Sequence, residues 1–130
     1  MVLNSEDWLH ISWLLAINPN TPASVLQDLC SEGSPQLLER IAENGRTSPS
    51  TLTTLSCQAY AEVRIAAASN PNTPLASIMV LINDLDADVR YSLAENHQLD
   101  KSALDFLSHD ENAFVKFRAE KTISRLRRPG

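Results

Sequence analysis

The chain has 130 residues, of which 43% are hydrophobic and 21% are charged, and its formal net charge is −5 at pH 7. This apolar content excludes general disorder, because the chain can bury enough surface to offset its conformational entropy. The acidic balance argues against a general nucleic-acid binder, which usually needs a basic face.

The sequence shows no feature of a membrane-inserted or secreted chain. No apolar run approaches the ~18 residues that span a bilayer. The first residues, Met1–Asp7, lack the basic segment of a secretory signal. Two cysteines, Cys30 and Cys57, do not make a disulfide framework. We therefore expect a cytoplasmic protein in a reducing compartment.

The first predicted helix runs from Trp8 to Ile17. Ser5 is the expected N-cap, and the two acids that follow it suit the positive end of a helix. Both tryptophans, Trp8 and Trp13, lie in this segment, so we interpret it as an N-terminal cap whose rings cover the end of the domain.

The next segment, Asn18–Pro22, combines a turn with a helix start. Thr21 is the predicted cap, and Pro22 the first helical residue, where a missing N–H costs nothing. A short helix then runs to about Cys30, and a second is predicted from Pro35 to Glu43. The short helix carries an apolar stripe of Val25, Leu26 and Leu29.

This turn–helix–turn–helix pattern returns at intervals of 26 residues, and each copy begins at an asparagine: Asn18, Asn44, Asn70 and Asn96. The second copy replaces proline with Gly45, which predicts a left-handed helix ending, and moves the cap to Ser48. The fourth copy is predicted to cap at Asp100. Its second helix, from Ala113 to about Arg127, is the longest and most basic and is interpreted as a C-terminal cap.

A constant spacing without insertions is typical of a solenoid, whose units stack on their neighbours. The sequence therefore predicts an all-α fold: an α-solenoid of about four 26-residue, two-helix repeats with capping helices at both ends. The predicted boundaries are a cap at 1–17, repeats at 18–43, 44–69, 70–95 and 96–121, and a tail at 122–130, all within one domain.

Alignment of the copies separates apolar from polar columns. The predicted core columns are Leu26, Leu52, Ile78 and Leu104; Leu29, Leu55, Leu81 and Leu107; Leu37, Val63, Val89 and Val115; and Ala16, Ala42, Ala68 and Ala94. A basic column of Arg64, Arg90 and Lys116 follows an acidic or amide column of Gln58, Asp84 and Asp110, which predicts a ladder of charged pairs between repeats. The asparagine column is assigned to turn geometry, since this side chain accepts left-handed geometry and bonds nearby backbone.

One outward sector of the second helices remains, and second helices commonly line the concave side of a stacked-helix solenoid. From this sector we select as candidate partner-binding residues Glu62, Asp88, Ser92, Glu95 and Arg118. Arg40, Glu43, Ala66, Ser69, Phe114 and Lys121 share the sector, which is acidic in the middle and basic at its C-terminal end. A solvated face without a partner is the alternative. The neighbouring column of Ile65, Tyr91 and Phe117 is interpreted as the edge of the core.

The sequence predicts no enzyme, because it contains no catalytic or metal-binding constellation. The three histidines fall in different columns, Cys30 and Cys57 are out of register, and no phosphate-binding loop or nucleophile motif occurs. We expect no cofactor and interpret the cysteines as small buried residues or idle thiols.

The cleanest copy resembles a known family. Ala68–Pro74 has the sequence Ala-Ser-Asn-Pro-Asn-Thr-Pro, Asp86–Arg90 has Asp-Ala-Asp-Val-Arg, and Leu93–Asn96 has Leu-Ala-Glu-Asn, with Leu81 between them. Over roughly residues 15 to 119 the chain resembles the leucine-rich repeat variant family, similar in style to HEAT and armadillo repeats. The resemblance implies a right-handed superhelix and, by analogy of fold, an interaction surface. No cysteine cluster upstream of Trp8 matches the iron–sulfur domain of some relatives.

Two functions remain open. The first is a non-enzymatic protein-interaction module, a scaffold or adaptor with a protein partner of unknown identity. The alternative is a nucleic-acid-associated protein that resembles HEAT-like DNA glycosylases. Its basic end would comprise Lys116, Arg118, Lys121, Arg125, Arg127 and Arg128. The acidic balance of the chain favours the first, and the oligomeric state is left open.

Overall fold

Helices make up the regular structure of the chain. A computed structural model describes residues 4–127, without the side chain of Glu32. Within that range it has no strand, which confirms the all-α class. The helices are α1 (Ser5–Ile17), α2 (Ala23–Leu29), α3 (Pro35–Glu43), α4 (Pro49–Leu55), α5 (Ala61–Ser69), α6 (Leu75–Leu81), α7 (Ala87–Ala94), α8 (Lys101–Leu107) and α9 (Ala113–Leu126), with a 3-10 turn at Cys30–Glu32. Residues 1–3 of the predicted cap and the last three residues, including Arg128, lie outside the description.

The helices form two layers. Helices α1, α3, α5, α7 and α9 pack against one another in series, and the shorter helices α2, α4, α6 and α8 pack against members of this series. We call the outward side of the layer formed by α1, α3, α5, α7 and α9 the second-helix face, after the second helices of the predicted repeats. We call the outward side of the layer formed by α2, α4, α6 and α8 the first-helix face, after the first helices of those repeats. The core lies between the two layers.

The predicted core columns are buried. All sixteen of their residues have less than a tenth of their surface exposed, and they fall into two adjoining clusters. Full burial of a leucine or valine side chain stabilises the fold by about 1.5–3 kcal/mol. The alanine column lies where successive helices of the series meet, so the small side chain allows close approach.

The threonines three residues after Asn18, Asn44 and Asn70 tie one helix to the next. The hydroxyl of Thr21 donates to the carbonyl of Leu15 at 2.6 Å, and Thr47 bonds Ile41 in the same way at 2.5 Å. The predicted capping role of Thr21 is therefore wrong: Pro22 is the N-cap of α2 and has no side-chain cap bond. The hydroxyl turns back because the last carbonyls of a helix lack intrahelical partners.

Four further predictions concern the helix ends. Ser48 and Asp100 are N-caps, as predicted. The cap of α1 is Asn4 rather than Ser5, since Asn4 and Asp7 bond each other's backbone in a capping box. The left-handed helix ending is also wrong. No residue in the described part of the chain has positive φ, and Asn44 ends α3 in an extended conformation, so Gly45 needs no left-handed turn.

The tryptophans do not seal the N-terminal end. Trp8 is 44% exposed and Trp13 is 37% exposed. The guanidinium of Arg40 lies 5.5 Å from the centre of the Trp13 ring, an arrangement that stabilises both side chains through a cation–π interaction. Helix α1 therefore ends the helix series with partly solvated aromatic rings rather than with a buried cap.

Candidate functional site

The five predicted partner-binding residues lie on three helices of one layer. Glu62 is the second residue of α5 and Asp88 the second residue of α7, while Ser92 and Glu95 lie towards and just beyond the other end of α7. Seven residues of helix separate Asp88 from Glu95, which is about 10 Å along the axis. Arg118 lies in the middle of α9. The residues thus form an extended face and not a single pocket.

The three acids among the five predicted residues have no internal partner. Glu62, Asp88 and Glu95 are exposed. Their carboxylates make no hydrogen bond or ion pair with any part of the chain that the structure describes. Ser92 is half-buried, and its hydroxyl donates to the carbonyl of Val89 at 2.7 Å. The acids are therefore available to a binding partner, whereas Ser92 is already bonded.

The charged ladder predicted between repeats is present, with a different pairing. Nε of Arg64 donates to Oδ2 of Asp84 at 2.8 Å, and Nη2 donates to Oδ1 at 3.1 Å. Nη1 donates to the carbonyl of Gln58 at 2.8 Å, so the amide side chain is not the partner. Arg64 thus bonds a carboxylate 20 residues further along the chain and a backbone carbonyl six residues before it.

The second rung repeats this geometry. Nε of Arg90 lies 2.8 Å from Oδ2 of Asp110, and Nη1 donates to the carbonyl of Asp84 at 2.6 Å. The hydrogen bond to Asp110 raises the pKa of Arg90 above its ordinary value, because it stabilises the charged guanidinium. Lys116, the predicted third rung, is exposed and has no ion pair within residues 4–127.

The asparagine column is structural. Nδ2 of Asn44 donates to the carbonyls of Ala16 and Asn18 at 2.8 and 3.0 Å, and Asn70 bonds Ala42 and Asn44 at the same distances. The side-chain oxygens accept from backbone amides two residues further on. These buried groups satisfy carbonyls at helix ends, so they are not free for catalysis.

The C-terminal end of the face combines cations with aromatic rings. Nε of Arg118 is buried and has no hydrogen-bond partner in the described structure. Nζ of Lys121 lies 5.4 Å from the centre of the Phe117 ring. Phe117 is 60% exposed, so its assignment to the core edge is wrong, whereas Ile65 and Tyr91 are half-buried against the core as predicted. Helix α9 is solvated on this side because the described structure places no further helix against it.

An open groove of about 830 Å³ borders the acidic part of the face. It lies between the turns that precede α6 and α8, and its lining includes Ser69, Ser92 and Glu95 together with Asp100. Hydrogen bonds from Ser102 lower the pKa of Asp100. The groove gives the C-terminal end of α7 an open, recessed border.

Other chemistry is limited. No group of three His, Cys, Asp or Glu side chains in the described region is placed to hold a metal ion. Cys30 is half-buried, and burial raises the pKa of its thiol to about 11, while Cys57 is exposed rather than a buried small residue. No helix among residues 4–127 is both long and apolar enough to cross a bilayer.

The column alignment missed one feature of the first-helix face. Leu85 and Phe106 are exposed and line an open groove on that side of the molecule. The signal was in the sequence, since Leu85 stands where the two preceding copies have Gly33 and Ala59. Residues shared by the copies do not indicate it, because Leu85 departs from its column.

Comparisons with known proteins found no match to this chain among protein-family models, curated proteins or solved structures.

Proposed function

We propose that this chain is a non-enzymatic protein-interaction module, a scaffold or adaptor, that binds a protein partner on its second-helix face. The observation that carries the proposal is the set of free carboxylates at Glu62, Asp88 and Glu95. The arginines and aspartates of the ladder are paired internally, whereas these acids leave negative charge available to a partner on this side of the molecule. Complementary charge across an interface fixes orientation and speeds association.

The proposed architecture is a right-handed α-solenoid of about four 26-residue repeats with capping helices, of the leucine-rich repeat variant type. The asparagine bonds support the repeat, since Asn44 bonds Asn18 and Asn70 bonds Asn44 across the same 26-residue interval. Such an array offers an extended surface rather than a catalytic cavity. The proposed compartment is the cytoplasm, where both cysteines remain free thiols.

The charges of the face define the partner that would fit. A partner segment that crosses α5 and α7 would carry basic side chains opposite Glu62 and Asp88. Near α9 it would carry an acidic group opposite Arg118, which is half-buried. Surface ion pairs of this kind contribute about 0.2–1 kcal/mol each, so specificity would come from their arrangement along the face.

Affinity capture from a lysate of the native host tests this proposal. Wild type is compared by mass spectrometry with the variant Glu62→Lys, Asp88→Lys, Glu95→Lys. The matched control reverses three exposed acids elsewhere, Glu6→Lys, Asp28→Lys and Glu120→Lys, and so has the same net charge. We expect a protein that is captured by wild type and control but lost from the face variant. Identical capture by all three contradicts the proposed face.

The alternative function is a nucleic-acid-associated protein that uses the basic end. It is supported by the exposure of Lys116, Arg125 and Arg127 on α9. It predicts binding of double-stranded DNA that weakens steeply with salt and is reduced by Arg125→Glu with Arg127→Glu. A fluorescence titration at low salt distinguishes the two functions, since the protein-interaction proposal predicts no such binding.

A further inference from the structure

The first-helix face becomes apolar at α6. The last turns of this helix carry Met79 and Val80 on the outside, and Val80 is 68% exposed. The aligned positions of α2 and α4 are polar: Gln27, Asp28, Thr53 and Thr54. A single exposed apolar residue is ordinary, but a contiguous patch often marks a docking surface. The change from polar to apolar therefore singles out this part of the face.

An open groove lies between the turn after α6 and helix α8. Leu85, in that turn, is fully exposed, and Phe106, on α8, is 49% exposed. Both line the groove, which has a volume of about 700 Å³ and includes Ile82 among its lining residues. That volume lies within the range of protein ligand sites, about 300–1,000 Å³. The groove can hold several apolar side chains of a partner.

The rim of this groove is acidic. Asp105 and Glu111 are exposed on it, and their carboxylates make no hydrogen bond or ion pair with the rest of the described chain. Asp84 and Asp110 also line the groove but are engaged by Arg64 and Arg90. Residues 83–111 contain eight acidic and two basic side chains. An occupant must therefore present positive charge beside its apolar side chains.

We propose that this groove binds a basic amphipathic helix of a partner protein. Such a helix presents apolar residues three and four apart on one side, which can lie on Leu85 and Phe106. Lysine or arginine residues beside that stripe would face Asp105 and Glu111, and this complementarity orients the helix. The site belongs to the other layer of the molecule and does not depend on the second-helix face.

The test is fluorescence anisotropy of a labelled Leu/Lys amphipathic peptide about five turns long, at low salt. We expect the Leu/Lys peptide to bind wild type saturably. The matched Leu/Glu peptide should not bind. The double variant Leu85→Ser, Phe106→Ser should lower the affinity about tenfold, as expected for the loss of two apolar anchors. The double variant Asp105→Asn, Glu111→Gln should lower it several-fold and reduce its salt dependence.

The control is Leu14→Ser with Ile17→Ser, which removes two half-exposed apolar residues from α1 and should leave the affinity unchanged. All the substituted side chains are exposed, and circular dichroism checks that each variant is helical. If the groove variant is unfolded, Leu85→Ser alone replaces it. The proposal is overturned if the control and groove variants lose affinity for the Leu/Lys peptide equally. It is also overturned if wild type binds the Leu/Glu peptide as tightly as the Leu/Lys peptide.

Sedimentation velocity of the protein alone tests the competing occupant. Wild type should sediment as one species over a wide range of concentrations, with or without Leu85→Ser and Phe106→Ser. Self-association that is abolished by this double variant would identify a second copy as the occupant and overturn the proposal.

Discussion

Arg90 on α7 and Asp110, in the turn before α9, are joined by a pair of parallel hydrogen bonds, Nε to Oδ2 at 2.8 Å and Nη2 to Oδ1 at 3.2 Å. Their side chains are only 12% and 5% exposed. A bidentate pair of this kind holds its geometry better than a single contact between flexible side chains. The pair therefore acts as a fixed connection between α7 and the segment that leads into α9.

Removal of one partner should be costly. Asp110→Ala leaves the guanidinium of Arg90 mostly buried without its counter-charge, and we expect a loss of about 3 kcal/mol in the free energy of unfolding. Urea unfolding measures it. The control is Glu43→Ala, which breaks the more exposed pair with Arg40 and should cost less than about 1 kcal/mol. Similar losses in the two variants would show that the ladder has no special structural role.

The asparagine column supplies a second comparison within one chain. Asn70→Ala leaves the carbonyls of Ala42 and Asn44 without their side-chain donor and should destabilise the protein by about 3 kcal/mol. Asn18 occupies the same column but is exposed, and its side-chain oxygen accepts only a local bond from the amide of Asn20. Asn18→Ala should therefore cost about 1 kcal/mol or less. Thermal or urea unfolding measures the loss of stability in both variants. A larger loss for Asn18→Ala than for Asn70→Ala would contradict this account.

The raised pKa of Cys30 predicts a pH dependence of stability. Burial holds the thiol pKa at about 11, against an ordinary value of 9.0. The folded state therefore keeps its proton to higher pH than the unfolded state. Its contribution is fully present below pH 9 and is lost as the pH rises towards 11. Urea unfolding at pH 8 and pH 10.5 should show a larger loss of stability for wild type than for Cys30→Ala. Parallel losses would contradict the prediction.

The sequence predicted the helices and core well, because one physical requirement recurs in every copy. Leu52, for example, must be apolar at the same place as Leu26, and alignment shows this directly. The ladder was predicted less completely. Alignment identifies the columns of Arg64 and Asp84, but the repeat that supplies each partner depends on the offset between stacked helices, which a linear sequence does not contain.

The local errors have a similar origin. Thr21 has the chemistry of a cap, but the tertiary fold places its hydroxyl under the carbonyl of Leu15. The second-helix face was selected by helical angle alone, so its acids were found and the half-buried state of Ser92 was not. Leu85 and Phe106 were missed because they depart from their columns, and only their exposure shows that they line a groove.

The most direct test of the central claim is site-specific photo-crosslinking in a lysate of the native host. One protein carries a photoreactive residue at Ser69, which is exposed on the second-helix face, and a matched protein carries it at Thr54, which is exposed on α4. We predict that a defined protein partner is crosslinked from position 69 and not from position 54, and that Glu62→Lys with Asp88→Lys removes the crosslink. A partner crosslinked only from position 54, or from both positions equally, would contradict the assignment of binding to the second-helix face.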